Sequence, residues 1–170
     1  MTDKETPEAP YPDMPGSRRK FLVVADGSDE CRVALRYAGL RAALTGGCVS
    51  LLYVIEPADF QHWRAVEDRM QEEARAEAES VLHTLAGELN DLVGIASELL
   101  ILEGSMNEQV PAAIRNDPSI HVLVLASGSA NEGPGPLVSM VSGKMGEGFS
   151  IPVTVVPGNL NDEAIDELSQ

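Results

Sequence analysis

Cysteine is scarce in this chain, with only Cys31 and Cys48 among 170 residues. Two thiols cannot form a disulfide framework, and their spacing is not the CxxC of a redox or metal-binding turn. Both read as small buried residues of a protein kept reduced, and the expected location is cytoplasmic. Histidine is as sparse. His62, His83 and His121 fall before a long helix, on that helix and at the start of a strand. That scatter offers no Ser-His-acid or metal constellation, and no catalytic residue is expected. Basic side chains are outnumbered: 12 Lys and Arg against 27 Asp and Glu give a net charge of −15. A nucleic-acid partner needs clustered cations, and the basic run Arg18-Arg19-Lys20 reads as a solvated boundary, so none is expected. No apolar run approaches the roughly 20 residues that cross a bilayer. The first residues are polar and proline-rich, so no secretion signal is read there.

What the chain does have is regular alternation. Residues 1–18, with Pro7, Pro10, Pro12 and Pro15, read as a disordered tail, residues 19–157 as one domain, and residues 158–170 as an acidic tail with a short helical stretch from Asp162. Phe21 to Ala25 is an uninterrupted apolar strand that ends at Asp26-Gly27-Ser28, where Ser28 can cap a helix carrying Asp29 and Glu30 in its first turn. Val33, Tyr37, Leu40 and Leu44 mark one face of that helix. Cys48 to Ile55 is a second strand. A long helix follows from Trp63 to Asn90, with Trp63, Val66, Met70, Ala74, Val81, Leu85 and Leu89 inward and Glu67, Asp68, Glu72, Glu73, Glu77 and Glu79 outward. Glu98 to Leu102 is a third strand. Ser105 and Glu108 match a capping box for a helix that Pro111 should kink or weaken in its first turns. Ile151 to Val156 is the last strand, and Pro152 near its start suits a sheet edge.

The fourth strand, Val122 to Ala126, opens into a glycine-rich turn from Ser127 to Pro136 and a short amphipathic segment from Leu137 to Met145. Backbone N–H groups in such a turn, with a helix N-terminus close behind, make an anion seat. The order β-α-β-α-β-α-β-α-β implies right-handed crossovers and a doubly wound five-stranded parallel sheet with helices on both faces. Ligands of such sheets bind beyond the carboxyl ends of the strands, where strand order reverses. Asp26, Val54 to Glu56, and Ala126 to Gly128 all lie at such ends. Two other phosphate motifs fail: Gly143-Lys144 is no P-loop, since position 138 is Val and 145 is Met, and Gly128 to Gly133 does not spell G-x-G-x-x-G.

Three pieces together resemble a universal stress protein domain over residues 19–157. They are Phe21 to Ser28, Leu51 to Pro57, and Val122 to Gly128 before a glycine loop, with Ile151 to Val156 a typical close. The resemblance implies a doubly wound, adenine nucleotide alpha hydrolase-like fold and a regulatory module that binds ATP or a related adenine nucleotide through the loop after the fourth strand, with Mg²⁺ accompanying the nucleotide. It puts Asp26 beside the adenine or ribose and Val54 against the adenine. Ala126, Ser127, Gly128 and Gly133 would take the ribose and phosphates, and Gly143 and Lys144 the end of the phosphate chain. The family pattern is G-x2-G-x9-G-[S/T]. Read back from Gly143, nine residues lead to Gly133, but the first glycine falls on Ala130; read forward from the strand, the first two fall on Ala126 and Ser129 and the loop is about four residues too long. Lys144 stands where Ser or Thr is usual, and Pro134 and Pro136 remove N–H donors. The resemblance also implies a homodimer through the last strand, by pairing or exchange at Ile151, Val153 and Val155. A stress or scaffold dimer that binds no nucleotide is the alternative, acting through an unknown protein partner. A regulator beside a membrane carrier is a third. At most weak ATP hydrolysis is expected.

Overall fold

The computed structural model describes residues 18–57, 64–128, 133, 135–143 and 149–170. The strands are β1 (Lys20–Val24), β2 (Cys48–Ile55), β3 (Ser97–Glu103), β4 (Ile120–Ser127) and β5 (Val153–Pro157). The helices between and after them are α1 (Asp29–Thr45), α2 (Arg64–Val93), α3 (Met106–Asn116), α4 (Gly135–Ser142) and α5 (Asp162–Leu168). All pairings are parallel and the strand order is β3-β2-β1-β4-β5. The chain first winds from β1 outward to β3, then crosses back to β4 and β5. With right-handed crossovers, that reversal sends α1 and α2 to one face and α3 and α4 to the other. The side chains agree. Val23, Leu51 and Val124 pack with Leu35, Ala38, Leu85 and Leu89, while Leu22, Leu52 and Leu123 pack with Val110, Ile114 and Met140 on the opposite side. β5 lies at an edge, as its early proline suggests.

The buried stripe of α1 differs from the expected one. Leu44 is 63% exposed, and the buried residues are Cys31, Ala34, Leu35, Ala38, Gly39 and Ala42. Small residues win because α1 is flanked by the sheet, α2 and α5 at once. A side chain at Gly39 would run into Leu89 of α2. On α2, Ala78, Leu82, Leu85 and Leu89 form the core stripe, whereas Met70 is exposed. The expectations for residues 1–17, His62 and Trp63 fall outside the described residues.

The capping box at Ser105 does not form, for the Ser105 side chain makes no cap hydrogen bond. The carboxylate of Glu56 accepts the Met106 N–H instead, at 3.1 Å. α3 runs on through the buried Pro111 as one helix. The closing acidic segment, expected as a tail, holds α5 docked on α1. Ile165 is buried, Arg36 forms a bidentate pair with Asp166 (2.8 and 2.9 Å), and Arg41 donates to the Ser169 carbonyl at 3.2 Å.

At the amino ends of the strands Lys20 bridges Asp117 (2.6 Å) and Glu98 (2.9 Å). The buried Ser50 hydroxyl donates to Glu98, and Ser119 donates to Asp117 through its hydroxyl and N–H. Glu98 titrates below its ordinary 4.5, held down first by Ser50 and then, against the cost of burial, by Lys20. Burial opposes ionisation of Asp117, but Lys20 and Ser119 outweigh it and lower its value below 3.8. Depressed carboxylates contribute stability that is present above their unfolded values and lost as pH falls through the folded ones. The melting temperature is therefore expected to drop on acidification below pH 4.5. In Lys20→Met, Glu98 and Asp117 keep the Ser50 and Ser119 hydrogen bonds but lose the cation between them, so that acid dependence should become shallower; an unchanged slope in pH-dependent melting curves would refute this assignment.

Candidate functional site

The strand order reverses between β1 and β4, so the crevice of this sheet opens beyond Val24 and Ser127. Each wall follows from local sequence. β1 continues its ladder one residue further, with Ala25 N–H donating to the Leu52 carbonyl at 2.7 Å. The chain must then turn at once into α1, and Gly27 makes the turn with φ +75°, a conformation that side chains disfavour. Asp26 stabilises the turn: its Oδ1 accepts both the Ser28 N–H (2.9 Å) and the Ser28 hydroxyl (2.6 Å). Ser28 in turn caps α1, its Oγ accepting the Cys31 N–H at 3.1 Å. Asp26 is therefore both an exposed carboxylate at the crevice and a turn brace. Beneath it the Cys31 thiol is buried, and burial pushes its pKa up to about 11, so it is a packing residue in the thiol form.

The second wall is the end of β4 and the turn that follows. Ala126 and Ser127 are half-buried, and the Ser127 carbonyl accepts the N–H of Gly158 at 3.1 Å. Gly128 is where the turn closes on itself: a Cβ there would lie 2.6 Å from the Gly133 carbonyl oxygen. Gly133 and Gly135 both have φ +78°, and Gly135 starts α4. This arrangement brings the N-terminus of α4 to the crevice. Residues 129–132, Pro134 and Lys144 lie outside the described residues, and with them the expected role of Lys144.

The floor on the α3/α4 side includes Val54, which is buried in the same apolar cluster as Val24 and Leu125. Asp26, Val54, Ala126, Ser127, Gly128 and Gly133 thus gather at one edge of the sheet. Gly143 does not join them. It sits past the opposite end of α4, and its N–H is already given to the Ser139 carbonyl at 3.1 Å. Gly143, which the family pattern offers to the phosphates, lies just past the end of the helix that Gly135 begins.

α2 supplies a side wall that periodicity did not reveal. The position of Gly27 at the end of β1 is level with Val81, 3.5 Å from where a Gly27 Cβ would stand. The helix from Arg64 to Val81 therefore rises about 25 Å past that strand end. Its described side chains from Asp68 to Glu73 are exposed, and Gln71 and Arg75 tie it to Glu103 at the end of β3. The Tyr53 hydroxyl titrates above its ordinary value, first through burial and then through Glu77 and Asp26.

A groove of about 420 Å³ lies elsewhere, on the outer side of α1 between Arg32, Arg36, Glu88, Leu92 and Asp162. None of the expected site residues lines it. Among the described residues no three His, Cys, Asp or Glu side chains group to hold a metal ion, and no helix is long and apolar enough to cross a membrane.

Residues 17–157 match the universal stress protein family. The chain belongs to that family. Among solved structures, the universal stress protein UspA of Lactobacillus plantarum superposes with a TM-score of 0.68 at 20% identity, over 82% of this chain and 98% of that one. A universal stress protein in complex with cAMP gives 0.59 at 14% identity, covering 84% and 99%. A family protein from Arabidopsis thaliana with AMP bound gives 0.54 at 14% identity, covering 85% and 94%. No curated protein sequence matches the chain at a significant level. As a member of the universal stress protein family, this chain carries α5 beyond the matched residues.

Proposed function

We propose that this protein is a regulatory module that binds an adenine nucleotide in the crevice between the carboxyl ends of β1 and β4. Val54 would meet the base, and Asp26 would meet the ribose through the carboxylate oxygen that does not hold Ser28. Ala126, Ser127, Gly128 and Gly133 would line the path to the phosphate, which would reach the N–H groups opening α4. The observation that carries this reading is that Asp26 and the turn after β4 meet where strand order reverses, with Val54 at the same edge on neighbouring β2. Two universal stress proteins, one in complex with cAMP and one with AMP bound, lend it support. Mg²⁺, where it takes part, would arrive on phosphate oxygens, since Mg²⁺ keeps most of its waters and needs few protein ligands. Binding to the native state alone raises its stability by about 2.7 kcal/mol at a hundredfold excess over Kd, which is a melting shift of about 5–11 °C for a chain of this size. AMP, cAMP and ATP with Mg²⁺ at millimolar concentration should therefore be scanned by calorimetry. No shift with any of the three would end the nucleotide reading.

A second reading is favoured by the edge of β5, where Val155 is 41% exposed. Unpaired strand edges invite pairing, and two copies joined or exchanged through Ile151, Val153 and Val155 would cover this one. On that reading the protein is a dimer with or without nucleotide, presenting its surface to a protein partner. Sedimentation at micromolar concentration should show the dimer, and Val155→Lys should give monomer; a wild-type monomer would dismiss it.

A further inference from the structure

The segment after β5 ties the crevice to the outer side of α1. β5 ends at Pro157, opposite Ser127, and the next residue, Gly158, gives its N–H to the Ser127 carbonyl at 3.1 Å. The approach leaves no room for a side chain. A Cβ at Gly158 would run into that same carbonyl oxygen and stand 2.8 Å from Glu30 Cγ. Gly158 is thus wedged between the end of β4, which is one wall of the crevice, and the first turn of α1. Ser28 and Asp26 of the other wall cap and brace that turn.

Past this joint α5 lies along α1 on few contacts. Ile165 is buried, and Leu160 packs at the margin of the core cluster under α1. Arg36 reaches Asp166 at 2.8 Å and Asp162 at 3.2 Å, and Arg41 reaches the Ser169 carbonyl. The two aspartates are 44% and 76% exposed, so each ion pair is weak and screened by salt. α5 has seven residues, too few to stay helical in water by themselves. It is formed when docked and lost when released, whereas β4 is laddered on both flanks.

We infer that α5 is a releasable strap coupled to the crevice: docked, it fixes Gly158 between Ser127 and Glu30 so that both walls are set for nucleotide, and released, it leaves them loose. This regulation rests on the nucleotide reading above and deepens it. A pre-set wall binds more tightly because less ordering remains to be done on binding. Linkage makes the effect reciprocal: nucleotide must hold α5 down by the factor that docking strengthens nucleotide binding.

The test is hydrogen exchange of the full chain at single amides, without ligand and with AMP, cAMP or ATP and Mg²⁺ at saturation, alongside calorimetric titration. The amides of Ala164 to Leu168 should open much more often than those of β4, and nucleotide should suppress that opening about fivefold or more. Ile165→Asp should keep α5 released and weaken nucleotide by the same factor. Arg36→Glu, which sets a carboxylate against Asp162 and Asp166 without touching the core, should raise α5 opening and weaken nucleotide to the extent that α5 is released. Opening of α5 only together with β4 overturns the inference. So does a nucleotide that binds and leaves α5 exchange unchanged, and in that case the nucleotide reading still stands. Failure of all three nucleotides to bind removes that reading, and this inference with it.

Discussion

Leu123→Ala is expected to destabilise the fold by about 3–5 kcal/mol, the upper part of the range for a leucine truncated in a core that cannot collapse. Leu123 has no exposed surface and lies on β4, a strand paired on both sides, opposite Leu22 of β1 and Val153 of β5. On the same side of the sheet it shares a cluster with Val110, Ile114 and Met140. Backbone ladders on both flanks keep the neighbours from closing in, so the cavity term adds to the lost transfer energy. Native stability is about 5–15 kcal/mol in all, so the variant should unfold at much lower urea, with a melting point about 6–20 °C lower. Leu44→Ala is the matched control: the same truncation at a residue 63% exposed should stay within about 0.5 kcal/mol. Equal losses at the two positions would mean that the exposed and buried faces of the chain are misassigned.

That contrast between Leu123 and Leu44 also shows what the sequence could disclose. The strands were legible because doubly covered strands are continuous apolar runs, and Phe21 to Val24, Cys48 to Ile55 and Val122 to Ala126 need no partner to be recognised. From their alternation with helices came the parallel sheet, and from the sheet came the crevice. The face of α1 was not legible. Periodicity ranks residues by size and apolarity, and so it chose Leu44 over Ala38 and Ala42; only the approach of α2 shows that the contact wants small side chains. The cap of α3 was hidden for another reason. Glu56 and Met106 are far apart in sequence and meet only because β2 and β3 are neighbours, whereas Ser105 and Glu108 advertise a local motif that the chain does not use. At the site, the residues at the ends of β1, β2 and β4 were found by topology alone. The glycine pattern beyond them did not disclose that Gly143 closes α4, because spacing counts residues and cannot say where a helix begins or ends. The acidic closing segment followed the same logic: composition describes its charge, and only the fold brings Asp166 to Arg36 and the Ser169 carbonyl to Arg41 and buries Ile165.

Gly128→Val is expected to abolish the melting shift produced by nucleotide while costing the fold about 1–3 kcal/mol, the usual penalty of overpacking. The obstacle a Cβ meets at Gly128 is the Gly133 carbonyl oxygen at 2.6 Å, which is backbone and cannot swing aside as a side-chain tip could. Relief requires the turn to open, and opening it moves Gly135 and the N-terminus of α4 away from Ser127. The apolar end of β4 at Leu125 lies below that turn and keeps its packing, so the damage should remain local. Gly143→Ala makes the comparison decisive. A Cβ there would stand 3.3 Å from the Ser139 carbonyl, a few tenths of an ångström tighter than ordinary contact, on a residue whose N–H already closes the helix. It should leave the nucleotide shift intact. If instead Gly143→Ala removes the shift and Gly128→Val keeps it, the phosphate lies at the far end of α4, and the crevice between β1 and β4 is not the binding site.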